Sequence, residues 1–145
     1  SGTNFGSQDY LGLTGHPAVA AAVREALERF GPHSAGSGVL VGNTDESLLL
    51  EAELAEALGY AEVLLFPTGW GAGFGTIQGL VRESDHIVLD ERAHACLQQG
   101  ARSATQNLTL VPHLDLDAVD ARLSEIRARD ARNGVLVVSE GLFSM

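Results

Sequence analysis

From Val63 onward the chain alternates short runs of β-branched and leucine residues with stretches of helical periodicity, and no other feature limits its possible folds as much. The runs Val63 to Phe66, His86 to Leu89, Leu108 to Val111 and Val135 to Val138 read as strands. Helices are predicted after Gly69, near Ala93 to Arg102, and from about Leu116 to Arg129, the last with Val119, Leu123 and Ile126 turned inward. Strands separated by helices join through right-handed crossovers into a mainly parallel sheet with helices on both faces. The fold class is therefore α/β.

Upstream, Val19, Ala22, Val23, Ala26, Leu27 and Phe30 recur at three- and four-residue steps, which predicts an amphipathic helix from Pro17 to Phe30. Pro17 suits its first turn, and Gly31-Pro32 stops it. The segment Ser34 to Asn43 is rich in glycine and serine, but Val39, Leu40 and Val41 interrupt it. A solvated linker has little use for consecutive apolar side chains, so an ordered loop is expected. Thr44 is placed to cap a second helix running to about Leu58, with Asp45 and Glu46 in its first turn against the helix dipole and Gly59 after its end.

A length of 145 residues with 45% hydrophobic content suits one ordinary domain with a substantial core. The formal net charge is -10 and no basic patch is visible, which argues against general nucleic-acid binding. All nine cationic residues are arginines, and there is no lysine. The apolar runs are too short to span a bilayer and the start carries no signal pattern, so a cytoplasmic protein is expected. One cysteine, Cys96, excludes an internal disulfide framework. The chain opens at Ser1 and stops at Met145 directly after a strand-like run, and both ends are expected to be cuts.

Open α/β sheets bind ligands beyond the carboxyl ends of their strands, which directs attention to the residues that follow each run. Pro67-Thr68-Gly69-Trp70-Gly71-Ala72-Gly73-Phe74-Gly75 is a glycine-rich entry into a helix, whose exposed amides would suit a phosphate. It is neither a Walker loop, which needs Gly-Lys, nor a dinucleotide fingerprint, whose glycines are spaced differently. Close helix packing explains the same glycines equally well.

His94 is expected just inside the helix that follows the second strand. Cys96, two residues on, is expected to point elsewhere, so no Cys/His nucleophile pair is predicted. No metal site is expected either, for want of a third ligand near Asp90 and His94. Asp115 reads as the cap of the next helix, and His113 as a loop residue. Beyond the last strand, Glu140 and Ser144 lie where they could reach a ligand.

The ordered set Asp9-Tyr10-Leu11-Gly12-Leu13 with His16-Pro17, Gly36-Ser37-Gly38, Thr68-Gly69-Trp70, Asp90 with His94-Ala95, and Glu140-Gly141-Leu142-Phe143-Ser144-Met145 resembles the α-oxoamine synthases. These are pyridoxal-phosphate enzymes of fold type I that join a small amino acid to an acyl-CoA thioester with loss of carbon dioxide. The resemblance implies that Thr68, Gly69 and Trp70 hold the phosphate of pyridoxal 5'-phosphate. It also implies that His94 stacks on the cofactor ring as a catalytic residue, that Ser144 bonds the phenolic oxygen, and that Glu140 lies close by.

The same likeness makes residues 1–43 an N-terminal helix and glycine-rich loop, and 44–145 the front part of the large cofactor-binding domain. It implies an acyl-CoA and a small amino acid as partners, and a homodimer to which the loop Ser34 to Asn43 contributes. In this family the reactive lysine and the aspartate that pairs with the pyridinium nitrogen lie further on, so this segment alone is expected to be inactive. A lysine-less, non-catalytic partner subunit is the alternative. Gln8 stands where many members carry an asparagine beside the substrate, and His33-Ser34-Ala35 replaces a more glycine-rich lead. Those departures bear on the amino-acid and acyl specificity, while Phe5-Gly6-Ser7-Gln8-Asp9-Tyr10 with Phe66-Pro67-Thr68-Gly69-Trp70 looks closer to serine-palmitoyltransferase-like or secondary-metabolism members than to the biotin enzyme.

Overall fold

The computed structural model describes residues 6–144, so Phe5 and Met145 of the motifs above lie outside the described residues. The chain divides into two compact units, Ser1–Leu64 and Leu65–Met145.

The first unit holds α1 (Pro17–Phe30) and α2 (Asp45–Leu58), with the limits that the sequence predicts. His16 caps α1, its side chain accepting the Ala18 N–H, and Gly31 ends the helix at φ 79°, in the left-handed region that glycine tolerates. Thr44 caps α2 in a reciprocal box with Ser47: each side chain accepts the other residue's backbone N–H. Arg29 of α1 pairs with Glu46 of α2 at 3.1 Å, both exposed. Between the helices the ordered loop turns on Gly42, whose N–H donates to the Ser37 carbonyl at 2.8 Å. A Cβ on Gly42 would fall 2.1 Å from the Gly36 carbonyl oxygen, so only glycine fits there.

The second unit contains α3 (Gly69–Leu80), β1 (His86–Asp90), α4 (Ala95–Ala104), β2 (Leu108–Val111), α5 (Leu116–Arg129) and β3 (Val135–Val138). The strands form a parallel sheet in the order β2-β1-β3, with Asp90 opposite Val111 and Leu89 opposite Val138. Central β1 is sealed: Ile87, Val88 and Leu89 are each 0% exposed. Ile87 and Leu89 pack with Ile77 of α3 and Ala101 of α4. Val88 alternates to the other face, where α5 packs on β1 and β2. Val119, Leu123 and Ile126 are half-buried on α5, as the periodicity predicts.

Beyond the extension of β1 by one residue to Asp90, the structure departs from the sequence reading in two elements. No strand forms at 63–66 among the described residues. Apolar, β-branched content suits a strand but cannot supply a ladder, and the segment pairs with none of the three strands of the sheet. Helix α4 runs Ala95–Ala104 instead of Ala93–Arg102, because His94 is its cap and stands outside it.

Candidate functional site

The site grows from the carboxyl end of the sheet and the start of α3. Thr68, extended at φ -147° and ψ 153°, caps α3 by accepting the Gly71 N–H on Oγ1 at 2.9 Å. Its carbonyl accepts the Ala72 N–H at 2.9 Å. The amides of Gly69 and Trp70 precede these bonds and have no acceptor within the helix, so they are available to an anion at its positive end. A Cβ on Gly69 would meet nothing within 4 Å.

Deeper in the helix the glycines serve packing. A Cβ on Gly73 would lie 2.6 Å from Cys96 Sγ, and one on Gly75 would lie 3.1 Å from Phe66. Across the same contact a Cβ on Gly100 would fall 3.2 Å from the Phe74 Cα. The glycine-rich stretch therefore has two parts: an open helix start at Gly69, then a close α3–α4 seam at Gly73.

His94, expected inside the helix, is the cap of α4, and this changes its surroundings. Its Nδ1 accepts the Cys96 N–H at 3.2 Å and lies 2.9 Å from Cys96 Sγ. Residues two apart within a helix point in different directions, but the side chain of a cap folds back over the first turn. Cys96 and His94 therefore touch, although Cys96 is only 6% exposed. The His94 N–H donates to Glu140 Oε2 at 2.6 Å, fastening the segment after β1 to the one after β3. Trp70 meets the His94 ring edge-on, with centroids 5.8 Å apart and planes at 75°. A cleft of about 510 Å³ opens beside His94, lined also by Arg92, Gln98 and the exposed Ser144.

His94 thus links the predicted residues of the second unit: Trp70 by ring contact, Glu140 by hydrogen bond, and Ser144 across the cleft. Thr68 and Gly69 follow through α3. Gln8 lies exposed in the first unit, where its carbonyl accepts the Tyr10 N–H at 2.9 Å. A larger cleft in that unit, about 580 Å³, is walled by Val23, Leu27 and Phe30, and of the predicted site residues it contains none.

Sequence reasoning missed the pairing of Asp90 with His113. Asp90, 4% exposed, accepts the Arg92 N–H at 2.8 Å and the Leu114 N–H at 3.0 Å, and both its oxygens lie 3.1 Å from His113 Nδ1. Burial pushes its carboxyl up, but the amides of Leu114 and Arg92 and the His113 ring outweigh burial and hold it below the usual carboxylate range. His113 in turn meets Phe143 edge-on at 4.4 Å. It therefore braces three strand ends and is more than a loop residue. The usable signal was the register, since His113 stands two residues past Val111, the partner of Asp90.

The aminotransferase class I and II family matches residues 1–145, and the chain belongs to that family. A serine palmitoyltransferase of Sphingobacterium spiritivorum is 38% identical over 141 residues, 97% of this chain and 35% of that protein. An 8-amino-7-oxononanoate synthase of Mycobacterium bovis is 40% identical over 141 residues, 97% of this chain and 36% of that one. The structure of a serine palmitoyltransferase from S. paucimobilis, with PLP and myriocin bound, matches with a TM-score of 0.90 at 31% identity, over 97% of this chain and 34% of that one. The fold is that of the fold type I enzymes, and the chain spans about a third of the length of these relatives. The relatives are members of the α-oxoamine synthase group that the motifs resemble.

Proposed function

We infer that this chain forms the cofactor-holding part of a pyridoxal 5'-phosphate-dependent C-acyltransferase. In that reaction a small amino acid condenses with an acyl-CoA thioester, carbon dioxide is lost, and an α-oxoamine and CoA are released. One observation carries the reading. The open amides of Gly69 and Trp70 lie at the start of a helix whose Trp70 ring meets His94, so an anion site and a flat ring share one end of one sheet.

These residues fit the cofactor chemically. The Gly69 and Trp70 N–H groups suit a phosphate, and Thr68 Oγ1, already accepting from Gly71, has its own proton to donate there. The His94 ring offers a flat π surface, Ser144 a hydroxyl for the phenolic oxygen, and Glu140 fixes the His94 backbone. Bound there, the cofactor supplies an electron sink for the pair left at the amino acid's α-carbon. The residues of this chain bind and orient; the sequence holds no lysine, so in this reading the reactive amine comes from another segment. Gln8 is assigned to the substrate, and the working assembly is a cytoplasmic homodimer.

The test is to add pyridoxal 5'-phosphate to the full-length protein, then a small amino acid and an acyl-CoA. A new visible absorption band and release of carbon dioxide and free CoA are expected. No band overturns the cofactor assignment, and a band with no CoA release overturns the reaction. Thr68→Ala should weaken binding of the cofactor roughly tenfold, the effect of losing one hydrogen bond to a charged group.

A further inference from the structure

We propose that Cys96 is the positioning residue of the His94 ring, holding it through two donors on one nitrogen so that the ring carries its proton on Nε2. The inference rests on the reading of His94 as the ring that lies against the cofactor. The backbone N–H of Cys96 points at His94 Nδ1 from 3.2 Å, and the thiol lies 2.9 Å from the same nitrogen. A backbone N–H has no choice of role, so the nitrogen it meets must offer a lone pair. Nδ1 is therefore the acceptor and the proton resides on Nε2. The S–H is a weak donor that can share that lone pair. A proton on Nδ1 would instead set two N–H groups against each other.

The thiol's place is fixed from the opposite side. A Cβ on Gly73 would stand 2.6 Å from Cys96 Sγ, so the sulfur occupies room that a glycine on α3 leaves for it. Confined between α3 and the imidazole, the thiol limits rotation of the ring. The backbone of His94 is held separately by Glu140 at 2.6 Å, and Trp70 meets the ring in a T-shaped contact. A ring held in this way presents its face before any cofactor arrives, and little side-chain entropy is lost on binding.

The experiment uses the full-length protein with 15N-labelled histidine, the His94 signals being assigned by their loss in His94→Gln. In the cofactor-free protein, Nδ1 should show the shift of a lone-pair nitrogen and Nε2 that of an N–H. A protonated Nδ1 overturns the proposal. Pyridoxal 5'-phosphate should then bind Cys96→Ala roughly three- to tenfold more weakly than the parent, the effect of one lost hydrogen bond, and Cys96→Ser should restore affinity to within about twofold. Equal affinity in all three proteins overturns the positioning role. Failure of the parent to bind pyridoxal 5'-phosphate at all overturns the cofactor reading instead, and the ring shifts of Cys96→Ala against Cys96→Ser then decide this inference alone.

Discussion

In the first unit, Val19, Val23, Leu27 and Phe30 line one face of α1 and all are exposed; in the second, Ile87, Val88 and Leu89 are shut away from solvent. Both segments are apolar and both are sharply bounded. The difference lies in what closes over them. Caps and stops set the ends of α1 with no help from burial, whereas β1 is buried because β2, β3 and helices pack on every side. Local chemistry can define an element, but only neighbours give it a large share of stability.

The strongest way to break this contrast is to truncate one leucine in each unit. Leu89→Ala should lower the stability of the full-length protein by about 2–5 kcal/mol in urea denaturation, because it leaves a cavity beside β1. Leu27→Ala should change it by no more than about 0.5 kcal/mol, as exposed positions do. Equal losses would mean that the face of α1 is covered in the intact protein.

A smaller effect tests close packing. Gly73→Ala drives a methyl group onto Cys96 and should destabilise by about 1–3 kcal/mol, whereas Gly15→Ala in the first unit, with nothing within 4 Å of the new carbon, should stay within about 0.5 kcal/mol. Thermal melts of the two variants side by side would show it. Similar melting shifts would dismiss the α3–α4 seam as the reason for glycine at 73.

The smallest effect concerns pH. Asp90 is held low by the amides of Leu114 and Arg92 and by His113, against its burial; Asp9 is held low by the Thr14 hydroxyl and by the amides of Leu13 and Thr14. A carboxyl lowered in the folded state adds stability above its unfolded pKa and loses it as the pH falls, here from roughly pH 4 downward. Asp90→Asn should flatten that acid limb. Asp9→Asn, exposed and screened, should flatten it less, and less still in high salt. Denaturation midpoints across the acid range measure both, and a steeper contribution from Asp9 would reverse the contrast.

Much of the fold was legible because its signals are local. Pro17 and Gly31 bound α1, Thr44 and Gly59 bound α2, and Asp115 caps α5 by accepting the Ala118 N–H at 2.8 Å. Strands β2 and β3 match their predicted limits, since β-branched runs between turn residues leave little latitude. Val63 to Phe66 carries the same composition and forms no strand, because a strand is a relation to a neighbour that composition cannot specify.

The site was legible as residue types and incomplete as contacts. Thr68, Gly69, Trp70, His94, Glu140 and Ser144 were named from the ordered motifs that carry the family resemblance. Shifting the start of α4 by two residues turned His94 from a helical residue into a cap, and so brought Cys96 onto its ring. The Asp90–His113 pair spans a gap of 23 residues and depends on the register between β1 and β2.

The sequence by itself therefore determined the order of the helices and of the three strands and the helix ends, because caps and periodicity act over a few residues. The tertiary structure alone decided which glycines face open space and which face Cys96, that Glu140 holds the His94 backbone, and that His113 braces Asp90. Those contacts arise where separate strands end side by side, and their distances are set by sheet register and helix packing.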